Sequence, residues 1–522
     1  MTSTADPTAN TPPVVQHTET RPLRDNRARS TFITLTLLTA VLVALTYTRL
    51  PPGICFHDSG DLQTAAAALG IAHPPGYAGY ASLGYCLTLI PGLDPARAVT
   101  LGCLAAGIGA LLFCAGIQIR LGVHPWLAAA IVLGLALHPR VWINLIIPEV
   151  YAPTWFFVMA AAYLLVVYLT SDSPASRYLY PAFFLLGVAA ANRPPVLLML
   201  PGFAIGLLLL WLHKRIAAKR ILKMIGICIV GFLLPAFYSL GYFWVRDTDQ
   251  QFYNYIEQDP QLNDMLPSPL DGPEAKIRRI WWLVSGAQYA AERVTGGTFL
   301  GRLSWIAEQI GAELDPVFLA IIVAFAVGAV VVRRRNLHIL ILLLGILLGG
   351  GCFLCLYRAY DTAADMLPLL GVLGVFAGTA LSSLLPQRAG RGRAWAAFAL
   401  FALTAVGSAQ LVTRYPNHAA EYDATGYARS IDWSVVPDNA LILTDWRKNA
   451  PLQYSRLIGN SRSDASVLHV LPEYRTAYAA REAAAGRAVF SANPPPAIPG
   501  LSITPAGALW RWEFHDSIPN RE

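Results

Sequence analysis

The chain has 522 residues, 55% of them hydrophobic and 14% charged, with a net charge of +7. A soluble domain carries about 25% charged residues, so this composition excludes a large water-soluble core and indicates a polytopic membrane protein. The basic residues cluster between apolar runs, which reads as membrane orientation and gives no case for nucleic acid as a partner.

Residues 1–30 are polar, rich in Pro and Thr, and expected to be disordered and cytoplasmic. Arg21, Arg24, Arg27 and Arg29 precede the first apolar run, Thr31 to Thr48. That run exceeds a signal h-region of about 7–15 residues and has no A-x-A-like site after it, so it reads as a retained helix. A first outer loop, 49–97, follows.

Further apolar runs then alternate with basic clusters. Ala98–Ile119 ends at Arg120, and Pro125–Ile147 returns to Pro148-Glu149-Val150-Tyr151. Pro153–Thr170, Tyr178–Ala191, Val196–Leu212 and Ile221–Trp244 come next, with His213-Lys214-Arg215 and Lys219-Arg220 between the last two. A long outer loop, 246–315, separates these from Pro316–Val332, Leu337–Leu356, Met366–Leu385 and Ala394–Val412. The basic residues Arg333-Arg334-Arg335 and Arg388, Arg391 and Arg393 fall on the same side as Lys219-Arg220. By the positive-inside rule this gives about eleven spans, a cytoplasmic N-terminus and an external C-terminal region. The expected fold is therefore mainly α: a polytopic helical bundle over 31–412, followed by a small extracytoplasmic α/β domain over 413–522.

In that last region Ala440–Thr444 and Ser466–Val470 read as short buried strands. Helices are expected over Pro451–Ile458 and Glu473–Gly486, and Ala508–Phe514 is a candidate final strand. None of the seven cysteines lies there, so no disulfide framework is expected. Cys352 and Cys355 form a C-x-x-C pair in an apolar run without a second ligand pair, and read as membrane packing. The ten histidines show no metal-binding spacing, and neither a metal nor a cofactor is expected.

Chemistry-bearing residues concentrate after the first span, in Phe56-His57-Asp58-Ser59-Gly60-Asp61 and Gly70-Ile71-Ala72-His73-Pro74-Pro75-Gly76-Tyr77. Ionisable groups at a membrane face are costly and point to binding or catalysis. Asp58 and Asp61 are three apart, one helical face, and suit a general base with a second acid beside it. The competing reading is a helix over Ser59–Leu69 capped by Asp58, with Asp61 in its first turn. His73 and Tyr77 flank a rigid turn, as a phosphate ligand and a substrate contact or as a stiff connector. Glu149 is either a second acid facing Asp58 or a solvated helix-end charge. Arg193 and Arg358 break the basic-side pattern. They suit bidentate phosphate binding, or else an ion pair with Asp361 or Asp365. Asp445 follows a predicted strand, where ligands of open α/β sheets bind, but no Gly-rich loop accompanies it.

Asp58-Ser59-Gly60-Asp61 followed by Leu69-Gly70-Ile71-Ala72-His73-Pro74-Pro75-Gly76-Tyr77 resembles the D-S-G-E and G-V-x-H-P-P-G-Y signature of a membrane-protein family related to protein O-mannosyltransferases. Pro148-Glu149-Val150-Tyr151 is similar to its S-E-V-Y motif. Leu441–Asp445, Pro451-Leu452-Gln453-Tyr454 and Arg462-Ser463-Asp464 resemble its C-terminal blocks. The resemblance implies a GT-C-type bundle with its site on the luminal or periplasmic face, in a bacterial inner membrane. It also implies inverting transfer of mannose or another hexose from a polyprenyl-phosphate donor to a protein or glycan acceptor. Asp58 would be the base, with Asp61 and Glu149 as further acids and His73, Tyr77, Tyr151, Arg193 and Arg358 as substrate contacts. The chain departs from the family pattern at Asp61, at Pro148 and at Asn192-Arg193. A transporter or flippase for lipid-linked glycans, and a non-catalytic assembly protein, are the competing classes. Acids gathered at one face and the lack of repeated halves argue against transport.

Overall fold

The computed structural model describes residues 21–514 except 172–175, 213–215, 249–252, 260–264, 293–300, 302–303, 305–316, 357–361, 386–389, 414–417, 460–463 and 496–500. The helices of the first part are α1 (Arg21–Tyr47), α2 (His57–Ala68), α3 (Ala78–Thr88), α4 (Pro95–Arg120), α5 (Pro125–Ala136), α6 (Pro139–Ile146), α7 (Tyr151–Leu169), α8 (Ser176–Asn192), α9 (Leu200–Leu212) and α10 (Ala218–Arg246). After them come α11 (Pro273–Ser285), α12 (Val317–Arg335), α13 (Leu337–Leu356), α14 (Leu367–Leu384) and α15 (Gly390–Val412). Helix α1 starts at Arg21, so the last ten residues of the stretch expected to be disordered are helical; residues 1–20 lie outside the described residues.

Among the described residues, seven helices are long and apolar enough to cross a membrane, or eight if α5 and α6 count as one bent span. The protein is an integral, multi-pass membrane protein. Helices α8, α9 and α12 stand where the three remaining spans of the sequence reading fall. The expected straight span Pro125–Ile147 is instead two helices bent by 81°. The break is written locally. His138 precedes Pro139 and is held extended (φ −61°, ψ 129°), while its ring accepts the Arg140 N–H at 3.2 Å and caps α6.

Close helix packing uses small residues, as expected where lipid supplies no hydrophobic drive. A Cβ on Gly187 of α8 would lie 2.3 Å from the Cys228 carbonyl oxygen of α10. The bundle has two chemically different ends. At one, Asn336 bonds the Leu169 carbonyl at 3.1 Å, Arg335 lies over Gly122, and Arg393 bonds Ser382 at 2.8 Å. At the other are the N-termini of α4, α7 and α14 and the loop carrying α2 and α3.

Against that second end sits a five-stranded sheet: β1 (Leu441–Thr444), β2 (Ser466–His469), β3 (Val489–Ser491), β4 (Leu501–Ala506) and β5 (Leu509–Phe514), in the order β2-β1-β3-β5-β4. Strand β1 runs parallel to β2 and β3, whereas β5 is antiparallel to β3 and β4. The short helices α16 (His418–Tyr422) and α17 (Thr425–Ser430) lead into it, and α18 (Trp446–Leu457) and α19 (Pro472–Ala484) cover it. Every residue of β1 is buried, with Ile442 in one core cluster and Leu441 and Leu443 in another. That explains its unbroken apolar run. Strands β3 and β4 were not anticipated: one is three residues long, and the other is only partly buried and carries Pro505.

Candidate active site

The site is assembled on the first loop, and Gln63 pins that loop. Its side chain accepts from the Cys55 N–H at 2.8 Å and donates to Gly53, Ala96 and Thr100 at 3.2, 3.0 and 3.0 Å. Gly60 lets α2 press against the chain before it; a Cβ there would stand 2.0 Å from the Cys55 carbonyl oxygen. Helix α2 begins at His57 and its N-cap is Phe56, without a side-chain cap bond. Asp58 is therefore not the cap that one reading expected. It lies in the first turn, with its carboxylate free for other partners.

The two aspartates have separate environments. Asp61 is fully buried. It receives the His73 backbone N–H at 3.0 Å, the His73 Nδ1 at 2.6 Å and the Tyr253 hydroxyl at 2.5 Å. The Asp58 side chain is 40% exposed. Its Oδ1 accepts the Trp446 indole N–H at 2.6 Å, and its Oδ2 stands 3.9 Å from His73 Nε2. One imidazole thus bridges both carboxylates. Burial alone would lower the His73 pKa, but the charges of Asp58 and Asp61 and the Asp61 hydrogen bond outweigh it and raise it to about 9. His73 is an imidazolium at neutral pH. The Tyr253 hydroxyl is pushed well above its usual range by burial and by Asp61, and stays a donor.

A continuous run of contacts links this centre to the bundle. The Ser59 hydroxyl donates to Glu149 at 2.6 Å. The His73 and Tyr77 rings meet edge-on at 5.3 Å, and Arg193 donates to the Tyr77 hydroxyl at 3.1 Å. Arg193 also pairs with Asp365 at 2.6 Å and stands over the Tyr151 ring at 4.6 Å. Tyr77 takes the left-handed conformation (φ 46°) and follows Gly76 (φ 90°), where a Cβ would strike Phe243 and Leu283. Tyr151 and Asp365, both in contact with Arg193, also border a small groove completed by Val196, Met199 and Phe353.

Asp58, Asp61, His73, Tyr77, Glu149, Tyr151 and Arg193 thus share one cluster. Arg358 lies outside the described residues. Asp445 is at the end of β1 but caps α18, accepting from Lys448 N–H at 2.9 Å and from Asn493 at 2.5 Å. Its neighbour Trp446 is what reaches the centre. Trp446 also meets Tyr255, His469 and His73 edge-on, with ring centres 5.4, 5.9 and 6.2 Å apart. Trp446 and Tyr253 were missed from sequence. The only signal was the placement of Thr444-Asp445-Trp446 at a strand's C-terminal end.

Residues 58–217 match the family described as Protein O-mannosyl-transferase TMEM260 N-terminal domain. A curated relative, Protein O-mannosyl-transferase tmem260 of Dictyostelium discoideum, is 26% identical over 220 residues. That alignment takes in 37% of this chain and 26% of the relative, so the chain spans about a quarter of the relative's length. The crystal structure of ArnT from Cupriavidus metallidurans in the apo state superposes with a TM-score of 0.56 at 12% identity, over 94% of this chain and 99% of ArnT. Its form bound to undecaprenyl phosphate gives 0.53 at 12% identity, over 91% and 97%. The archaeal oligosaccharyltransferase AglB from Archaeoglobus fulgidus, in complex with an inhibitory peptide and a dolichol-phosphate, gives 0.52 at 11% identity, over 88% and 69%. At such identities the structures establish the fold. The chain thus shares the overall fold of ArnT and AglB, and its first loop and the helices after it are similar in sequence to the N-terminal domain of the TMEM260 protein O-mannosyl-transferases.

Proposed function

We propose that this protein is a membrane glycosyltransferase that moves a hexose, mannose in the first instance, from a polyprenyl-phosphate donor to an acceptor hydroxyl, with inversion. The observation that carries this reading is the half-exposed Asp58 carboxylate, fixed by the Trp446 indole on one oxygen and facing the His73 imidazolium with the other.

In this reaction Asp58 takes the proton of the acceptor hydroxyl as the oxygen bonds to the anomeric carbon. The bond from that carbon to the phosphate oxygen breaks, and polyprenyl phosphate leaves with the electron pair. A phosphate leaving group needs little protonation, so the larger contribution is a cationic surrounding for it. His73 and Arg193 carry positive charge beside the site, and Tyr151, Val196, Met199 and Phe353 offer the isoprenoid chain an apolar wall to lie against. Asp61 keeps His73 charged and in place, making it a positioning residue rather than a second base. Glu149 holds Ser59 and so the first turn of α2.

Arg120 at the end of α4, Arg333, Arg334 and Arg335 at the end of α12 and Arg393 near the start of α15 lie at the far end of the bundle from Asp58. Under the positive-inside rule this supports a site on the external face. A transfer assay with purified protein and polyprenyl-phosphate mannose, comparing wild type with Asp58→Asn, tests the reading. Transfer by wild type alone is expected; equal turnover in both removes the assigned base.

A further inference from the structure

Helix α11 crosses the end of α10 and turns two unlike faces outward and inward. Its inner face, Ala275, Arg279, Ile280 and Leu283, is buried. Arg279 is fully enclosed and holds Asp247 through two bonds of 2.8 Å, and Leu283 packs against the turn at Gly76. The helix is therefore rigidly attached to the floor of the site. Its outer stripe, Glu274, Ile277, Arg278 and Trp281, follows helical spacing and faces away from the protein. Ile277 is 59% and Trp281 70% exposed.

The neighbourhood says what covers this stripe. Helix α10 is an apolar span of 29 residues, and only 11% of its apolar stretch is buried inside the protein, so lipid covers it. Lys276 bonds the Trp244 carbonyl of its last turns at 3.1 Å, with the ammonium 5.7 Å from that indole's centre. The outer stripe thus begins where the lipid-facing surface of α10 ends. Tryptophan with an apolar partner, flanked by Lys and Arg, is the composition of a segment lying in the headgroup layer.

We propose that the outer stripe of α11, Ile277 and Trp281 with Lys276 and Arg278 beside them, is a docking surface for the anionic phospholipid interface of the membrane that α10 spans. The side chains of Ile277 and Trp281 enter the upper acyl region, and the two cations meet lipid phosphates. Because the opposite face of α11 braces Gly76, this contact sets the height of the Tyr77–His73 turn above the bilayer. That last consequence rests on the proposed transferase reading; the docking itself does not.

The experiment uses the full chain in nanodiscs of phosphatidylcholine and phosphatidylglycerol, with acyl chains brominated close to the headgroup. The fluorescence component lost in Trp281→Phe is isolated by difference. It is expected to emit blue-shifted and to lose intensity to the brominated lipid. Ile277→Trp placed on the Trp281→Phe background should behave the same way, which guards against a variant that misfolds. A red-shifted, unquenched component overturns the proposal. So does one shielded from bromine only when two copies share a disc, because a second copy of the chain then covers the stripe.

Discussion

Trp446 and Asp58 are 388 positions apart in the chain, yet the indole N–H of one lies 2.6 Å from the carboxylate of the other. The C-terminal sheet and the first loop therefore build a single site. The joint is reinforced by Thr64 bonding the Ala450 carbonyl at 3.3 Å and by the Tyr454 hydroxyl receiving the Ala96 N–H at 3.2 Å. Trp446→Phe keeps the ring and loses the donor. A hydrogen bond to a charged group contributes about 1.5–3 kcal/mol, so turnover should fall roughly 10- to 100-fold. Steady-state kinetics with a polyprenyl-phosphate sugar read this out, and unchanged kcat would show that the indole does not orient the base.

Asp58 and Asp61 should separate into a kinetic and a structural phenotype. Asp58→Asn is expected to lower turnover by about 10²–10⁴-fold, the usual range for a general base, with little change in thermal stability, because that side chain is 40% exposed. Asp61→Ala leaves a buried imidazolium and a buried phenol without their shared acceptor. It should cost about 3–5 kcal/mol of stability. Thermal unfolding in detergent distinguishes the two, and a stable Asp61→Ala protein would contradict the assignment.

The imidazole of His73 makes stability depend on pH with a definite sign. Its pKa rises on folding from 6.5 to about 9. The charged form therefore stabilises the fold fully below about pH 6.5, and the contribution fades as pH climbs through about 9. The amount is on the order of 3 kcal/mol. Melting temperature should drop between pH 7 and pH 9.5 in wild type and stay flatter over that range in His73→Gln.

Arg193 joins the end of α8 to the start of α14 through Asp365, and it carries the Tyr77 hydroxyl. Arg193→Gln and Asp365→Asn should each destabilise the protein, and their double variant should be less damaged than the sum. A coupling of about 1–3 kcal/mol is expected for neighbours in one network. An additive double-mutant cycle would mean the two act separately.

Orientation is open to a direct test. A cysteine at Asn336, between α12 and α13, should react only with a membrane-permeant reagent in intact cells. One at Arg511 on β5 should react with an impermeant one. The reverse pattern would put the site on the cytoplasmic face.

Membrane spans were legible because a run of apolar residues long enough to cross a bilayer is a local property of the chain. The bend at His138 was as local, written in the residue before Pro139, although Pro125–Ile147 has the length and apolar character of one span. The first-loop motif marked the neighbourhood of the site for the same reason: its glycines, prolines and carboxylates are adjacent in sequence. Only the tertiary structure divided two chemically identical aspartates three residues apart into an enclosed anchor and an open carboxylate, because burial comes from Tyr253 and Trp446, which arrive from distant segments. Nor could periodicity pair Arg193 with Asp365 across 172 positions, since a contact between remote side chains leaves no pattern in either stretch.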